Sequence, residues 1–484
     1  MTANAGRQQL SKANQRGDET MTTTAPTTVT TARGKTATGP RGVPVLGNLP
    51  QWKGDTAEFL LRVQRDHGEV ARLRLGPYTV HLVTEPDAVS RVLKENSANY
   101  VRGTLYEQFR TVMGNGLLTT DGDDWKAHRR AVQPVFLRKA VAAIEPNVVR
   151  ATNEMLDEWE VKACRGEPVD LVTETLRLTL VTLSRSLFGY DIRPATPVLK
   201  DVVNNVIEVM FKHGSVAEML PSWLPTRRNR LISRDRRIFT RLVTEIRDNH
   251  AATGEGPLME LIEAATDPVT GARWSDEEIR DEMLTIYLAG HETTAVALLW
   301  TLVSIANHPG VADEMDEELA RELGRATPTA QDVERLSYTN QVVDESLRMY
   351  PPIWIYPRDA VADDELAGFH IPAKSSVLLS PLASHRNPRY WKNPQAFDPH
   401  RFDPDRVKER PRMAYFPFGA GARMCIGNFM ALLELRMIVA MIHQRFRLSL
   451  VPGDSLRYGD TAISLRPLSK VLVVPESRDG GVRA

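Results

Sequence analysis

The chain has 484 residues and carries 61 lysines and arginines against 61 aspartates and glutamates, so its formal net charge is zero. Nothing in that balance points to nucleic acid or an anionic membrane as partner. The two cysteines, Cys164 and Cys425, lie far apart, which excludes a disulfide scaffold and suits a reducing compartment. No uninterrupted apolar run reaches the ~18–20 residues of a membrane span, and no apolar core follows Arg7, Lys12 and Arg16 to make a secretory signal. The expectation is a cytoplasmic protein without a membrane anchor.

Residues 1–38 are rich in Thr, Ala, Gln and Asn and poor in large apolar side chains. Such a segment cannot offset its ordering entropy and is predicted to be disordered, with Met21 an alternative start. Residues 39–484 are read as a single domain. Its opening, Gly39 to Asn48, is punctuated by Pro and Gly and predicts an irregular extended path. Helical patterns at 56–67 and 86–94 flank two strand patterns, 70–75 and 79–83, joined at Gly76-Pro77. Residues 100–116 show no clean period and predict a loop with short helical turns. Amphipathic helices are predicted over 144–163, 171–187 and 198–212. The proline-broken stretch 214–225 contains Met219, Leu220, Trp223 and Leu224, and an arginine-studded helix comes next over 227–249. Short strands are expected within 365–381, 447–450 and 470–474.

Four clusters carry chemistry. Trp125 and Arg129 are four apart, so on a helix they share a face. Indole N–H beside guanidinium makes a clamp for a carboxylate; an incidental surface Trp is the alternative. The longest helical pattern, 276–306, has Ser275 as its N-cap and holds Ala289-Gly290-His291-Glu292-Thr293-Thr294 at its centre. Glycine is costly inside a helix, so Gly290 is read as leaving room for a flat cofactor or a diatomic ligand. A Thr there can bond back to a carbonyl one turn earlier; a plain kink with a buried Thr is the alternative. Glu345 and Arg348 share a helix face and can pair, after which Pro351 and Pro352 turn the chain extended through Ile353, Trp354 and Ile355 to Arg358. Finally, Phe418-Gly419-Ala420-Gly421-Ala422-Arg423-Met424-Cys425-Ile426-Gly427 sets one cysteine in a glycine-punctuated loop. Gly427 opens a helix over 428–446, whose N–H groups and dipole should favour a thiolate. A lone cysteine is ordinarily an inert small hydrophobe; here its neighbours argue for a ligand.

That last stretch resembles, position for position, the haem-binding loop of cytochrome P450 monooxygenases, and the likeness covers nearly all of the chain after about residue 40. It implies the P450 fold, mainly α with a smaller β region, with haem b between the long central helix and the Cys-loop helix. The resemblance makes Cys425 the axial thiolate, flanked by Phe418 and Gly427, and assigns Trp125, Arg129, Arg358 and Arg423 to the haem propionates. Gly290, Glu292 and Thr293 match the oxygen-side groove and its acid–threonine pair, whose family role is proton delivery; His291 is a bystander. Glu345, Arg348 and Arg401 match a buried structural triad. Substrate-facing positions would be Tyr106, Phe109, Val112 and Met113, then Ile286 and Ala289 on the central helix. Ile353, Trp354, Ile355 and Ala462 would complete the set. Each of these could instead pack in the core.

The activity so implied is insertion of one oxygen atom from O2 into a lipophilic small molecule, first of all a terpenoid or polyketide-derived ring. Fatty-acid hydroxylation and oxidative coupling are alternatives within the family, and a non-catalytic haem-fold partner-recruiting protein is the alternative from another class. No G-x-G-x-x-G unit, flavin pattern or iron–sulfur cysteine set occurs. Electrons from NAD(P)H are therefore expected through a ferredoxin and its reductase, docking on Lys126, Arg130, Arg138 and Lys139. A monomer is expected.

Overall fold

The computed structural model describes residues 34–196, 202, 205, 224, 226–267, 270–452, 456–459 and 464–478. Residues 1–33, the predicted helix 198–212 apart from positions 202 and 205, the stretch 214–225 apart from Leu224, and Ala462 with its turn lie outside the described residues. Residues 34–38 do not behave as the predicted disordered segment. Lys35 N–H donates to Gly368 O at 3.0 Å, His370 N–H to Lys35 O at 2.9 Å, and Arg72 N–H to Thr38 O at 2.7 Å, while Ala37 is 5% exposed. Backbone pairing to a neighbouring hairpin orders a stretch whose side chains alone give no reason for order.

In chain order the strands are β1 (Val70–Leu75), β2 (Tyr78–Val83), β3 (Tyr100–Val101), β4 (Val169–Asp170), β5 (Tyr356–Ala360), β6 (Asp364–Leu366), β7 (Phe369–Ile371), β8 (Ser376–Leu379), β9 (Phe446–Leu450) and β10 (Leu472–Ser477). The main sheet has the order β1-β2-β8-β5-β3, with β4-β10-β9 and β6-β7 as smaller sheets. The β1–β2 hairpin pairs Val70 with Val83 through Leu75 with Tyr78, and Gly76, at φ +61°, supplies the left-handed turn residue.

Helices form the larger part. The predicted elements at 56–67 and 144–163 are observed as Thr56–His67 and Glu145–Cys164, and 171–187 as Leu171–Phe188. The central helix, Asp276–Asn307, starts with a full capping box: Ser275 Oγ accepts from Glu278 N–H, and the Glu278 carboxylate accepts from Ser275 N–H. By length and composition this helix is apolar enough to cross a membrane, although His291 and Glu292 interrupt its apolar run; an 18-residue apolar window of it is 72% buried inside the protein, as in a core helix. Helix Leu171–Phe188 runs against it, held by Thr179 Oγ1 donating to His291 O at 3.1 Å and by the Ser184 and Tyr287 hydroxyls at 2.9 Å.

The segment predicted as an irregular loop contains a ten-residue helix, Thr104–Met113, closed by Gly114 at φ +74°. Phe109, Val112 and Met113 are buried, at spacings one helix face accommodates. The missing ingredient is tertiary. Asn115 N–H donates to Asp281 Oδ2 and Leu117 N–H to Glu282 Oε2, both at 2.9 Å, so two acids of the central helix fix the chain after the helix end. His128 Nδ1 also bonds Glu282 Oε2, at 2.7 Å.

Candidate active site

The cysteine loop is built by backbone. Cys425 N–H donates to Phe418 O at 3.0 Å, Met424 N–H to Gly421 O at 3.1 Å, and Gly419 N–H to Phe416 O at 3.0 Å. Gly419 and Gly421 have φ +68° and +71°, and a Cβ at Gly421 would collide with the Leu93 carbonyl oxygen. Gly427 is the N-cap of helix Asn428–Arg445, as predicted. Cys425 is exposed, yet so much protein surrounds it that burial pushes its thiol above the ordinary value. Both hold for a side chain on the wall of an internal space. The Gly427 N–H and the Arg129 charge oppose the burial effect without overcoming it. In the protein alone, burial and the helix N-terminus pull in opposite directions, and a metal bound at the sulfur would favour the thiolate.

Beneath the loop lies the predicted triad. Arg348 donates Nε to Glu345 Oε2 at 2.6 Å and Nη2 to Glu345 Oε1 at 2.7 Å, with both side chains fully buried. Arg401 Nε stands 3.4 Å from Glu345 Oε1. Arg348 also reaches the carbonyls of His385, Pro394 and Ala396, and Asp398 N–H donates to Glu345 Oε1 at 2.8 Å. The triad thus pins the winding chain that leads to the loop.

Around the sulfur gather guanidinium groups. Arg129 donates to Met424 O at 2.9 Å. Arg423 lies over the Trp125 ring, 4.0 Å from its centroid, and pairs with Asp121. Burial, together with repulsion from Arg102 and Arg358, pulls Arg423 down to about 9, against the pull of Asp121. Arg102 is lowered as well, by burial, with Arg358 and Arg129 adding repulsion. Four arginines with Asp121 as the carboxylate among them make a buried excess of positive charge, which an anion must balance. Arg102 is missing from the sequence candidates; a single Arg in an irregular stretch carries no local signal. It donates to the carbonyls of Leu117 and Leu118, and Nε of Arg102 and Nη1 of Arg423 are buried without a partner. A flat group carrying two carboxylates and a metal fits this set: Cys425 takes the metal, while Arg102, Arg129, Arg358, Arg423 and the Trp125 indole receive the carboxylates. Haem is such a group, and when bound it supplies iron for O2 activation, with thiolate donation favouring O–O cleavage.

On the opposite wall, the central helix is buried between its exposed ends except at its middle, where Ala289 is exposed and Leu288, Gly290, Glu292 and Thr293 are half-buried. Thr293 Oγ1 donates to Ala289 O at 2.7 Å, the predicted back-bond. A Cβ at Gly290 would meet Leu183 Cδ1 at 3.0 Å, so its missing side chain also admits the neighbouring helix, beside the exposed Ala289. His291 is a bystander: it is buried, bonds Leu176 O at 3.1 Å, and burial pulls it down to about 4. Glu292 is held from the C-terminal segment, a link with no local signal in the sequence: Ser464 Oγ donates to Oε1 at 2.6 Å, and Arg466 Nε lies 3.4 Å away.

The substrate candidates divide. Trp354 is 2% exposed and packs with Phe59, Leu60, Leu82 and Leu378 in the core beneath the main sheet, so it does not shape a pocket. Ile355 packs against the same core, whereas half-buried Ile353 bridges Ser464. Phe109, Val112, Met113 and Ile286 are buried in the principal helical core, with Tyr106 partly buried against it. Val112 also lines a narrow cleft with Phe239 and Leu284. Phe418 is partly buried against the helical core. A separate open cleft of about 390 Å³ is lined by Trp125, Lys126, Arg129, Arg130, Gln133, Pro134 and Leu137. Of the predicted docking cations, Lys126 is paired with Asp123 at 2.8 Å and Arg138 with Glu334 at 2.6 Å.

Comparison with known proteins agrees with this geometry. The family model described as Cytochrome P450 matches residues 38–473. Cyclooctatin synthase of Streptomyces melanosporofaciens is 33% identical over 422 residues, 86% of this chain and 91% of the relative. Cyclooctat-9-en-7-ol 5-monooxygenase of the same organism is 34% identical over 426 residues, 87% and 91% of the two chains. Pentalenene oxygenase of Streptomyces avermitilis is 29% identical over 435 residues, 87% and 93%. The crystal structure of the cytochrome P450DA heme domain superposes with a TM-score of 0.81 at 28% identity, covering 92% of this chain and 98% of that one. With a haem-thiolate donor set on one wall and an acid–threonine pair on the other, the chain belongs to the cytochrome P450 family and is an oxidoreductase of the monooxygenase kind.

Proposed function

We propose that this P450 inserts one oxygen atom from O2 into a cyclic, lipophilic metabolite, a terpenoid before a polyketide-derived ring. The observation that carries the reading is the relatedness, over about nine-tenths of their length, to enzymes whose names specify cyclooctat-9-en-7-ol and pentalenene. The apolar character of half-buried Ile353, paired to Ser464 beside Glu292, supports it, since an apolar wall gains affinity by covering hydrocarbon rather than by pairing charge. Electrons from NAD(P)H arrive through a ferredoxin and its reductase in the cytoplasm. The open cleft beside Arg129 is the docking place, with Arg130 on its lining and Lys139 two residues beyond Leu137 as cations. Lys126 and Arg138 contribute less, because they already have acidic partners. The protein acts as a monomer.

Titration of the haem-loaded protein with pentalenene, a macrolide precursor and palmitate tests the substrate class. A saturable low-to-high spin change with the cyclic hydrocarbon, and then a product heavier by one oxygen, is expected. A spin change and product with palmitate alone would replace this reading by fatty-acid hydroxylation.

A further inference from the structure

We propose that Ser464 and Arg466 are positioning residues that aim the Glu292 carboxylate for proton delivery and tie that step to the extended segment at Ile353. The inference rests on the monooxygenase reading of the site.

Two donors converge on one oxygen. Ser464 Oγ reaches Glu292 Oε1 at 2.6 Å and Arg466 Nε at 3.4 Å. Ser464 is 2% exposed, so water does not compete for its bond. The donors are themselves held. Ser464 bridges Ile353, Leu465 N–H donates to Pro352 O at 3.1 Å, and Trp300 Nε1 donates to Leu465 O at 2.7 Å. Trp300 sits eight residues after Glu292, about two turns along the same helix. The 464–466 segment is therefore clamped between the central helix and the extended segment through Pro352 and Ile353. With Oε1 occupied by donors, Oε2 is the atom that takes up and releases a proton. Each transfer breaks one Oε2–H bond and passes the proton toward the Thr293 side, and solvent replaces it. No oxidation state of the protein changes. A carboxylate freed from its Oε1 contacts loses its aim, and proton transfer depends first on that geometry.

The consequence is legible in how O2 is spent. Two electrons and two protons convert O2 to hydrogen peroxide; four of each convert it to two waters. Late protons favour peroxide. The haem-loaded protein is given a surrogate ferredoxin, its reductase and NADPH, with no organic substrate, and peroxide is counted per NADPH. Ser464→Ala and Arg466→Gln should each raise that ratio about twofold or more, while Ser464→Thr restores the wild-type value. A second readout needs no turnover. In haem-free protein, the Tm loss of the double variant Glu292→Gln/Ser464→Ala should be smaller than the sum of the single losses, because both singles break the same bond. Unchanged peroxide in both variants, no restoration by Thr, or additive Tm losses would overturn the proposal. A wild type that carries haem but consumes no O2 with the electron donors overturns the monooxygenase reading instead.

Discussion

The two walls of the site are built by different means. The cysteine wall is a matter of backbone and buried charge: Gly421 in a left-handed turn, Cys425 closed onto Phe418, and Arg348 with five polar contacts to Glu345, His385, Pro394 and Ala396. The oxygen wall is one helix plus contacts from distant segments: the Leu183 side chain against Gly290, the Ser464 hydroxyl on Glu292, and a backbone bridge between Ile353 and Ser464. Interlocked buried polar bonds such as those of Arg348 tolerate little change, whereas single contacts between separate elements can vary in shape while the fold persists. The contrast places rigidity where the metal is held and variability where substrate is chosen.

Breaking the cysteine wall should have the largest effects. Arg348→Ala removes the two-pronged partner of buried Glu345 and leaves it only Arg401 at 3.4 Å and the Asp398 N–H, at a cost of about 3–5 kcal/mol; thermal melting should show the loss, and the purified protein should retain little haem. On the central helix, acid acts through His291, and in the main sheet through His81, each held near 4 by burial against an ordinary 6.5. The unfolded chain takes up those protons first, so stability present above about pH 6.5 falls as pH drops and levels off near pH 4. The ceiling is roughly 3 kcal/mol for each histidine. Melting curves from pH 7 to 4 should show the fall, and His291→Gln should remove part of it.

Smaller changes sharpen the contrast. Gly421→Ala forces a left-handed residue against Leu93 O and should cost about 1–3 kcal/mol, read as a lower Tm. Gly290→Ala separates two roles. If the residue serves helix packing, Tm changes by about 1 kcal/mol equivalent and O2 binding to the reduced protein is unchanged; altered O2 binding at constant Tm would return Gly290 to the oxygen groove. Ile353→Ala should cost no more than about 1 kcal/mol and alter the product distribution, measured by mass spectrometry.

The same contrast explains which features are legible in the sequence. Phe418 to Gly427, Trp125 with Arg129, and Glu345 with Arg348 are local patterns whose partners lie within a turn or two. The long helices are legible because their apolar spacing repeats many times. The helix Thr104–Met113 is not, because ten residues between glycines give little periodicity, and Asp281 and Glu282 fix the chain beyond Gly114 from far away in sequence. Trp354 misleads because the face an extended residue presents depends on the sheet it joins, and here that face meets Leu60 and Leu82. Arg102, Ser464 and Arg466 become visible only when the chain closes on itself. Residues 34–38 find order through carbonyls and amides that no side-chain pattern encodes.

Thiolate ligation of haem by Cys425, inside its ring of arginines, is the claim on which the rest depends. Its sharpest check is the absorption spectrum of the reduced protein under carbon monoxide. The far-red-shifted Soret band of a thiolate-ligated haem is expected, absent in Cys425→Ala. A band typical of a histidine or neutral-thiol ligand, or no haem band after reconstitution, would contradict it.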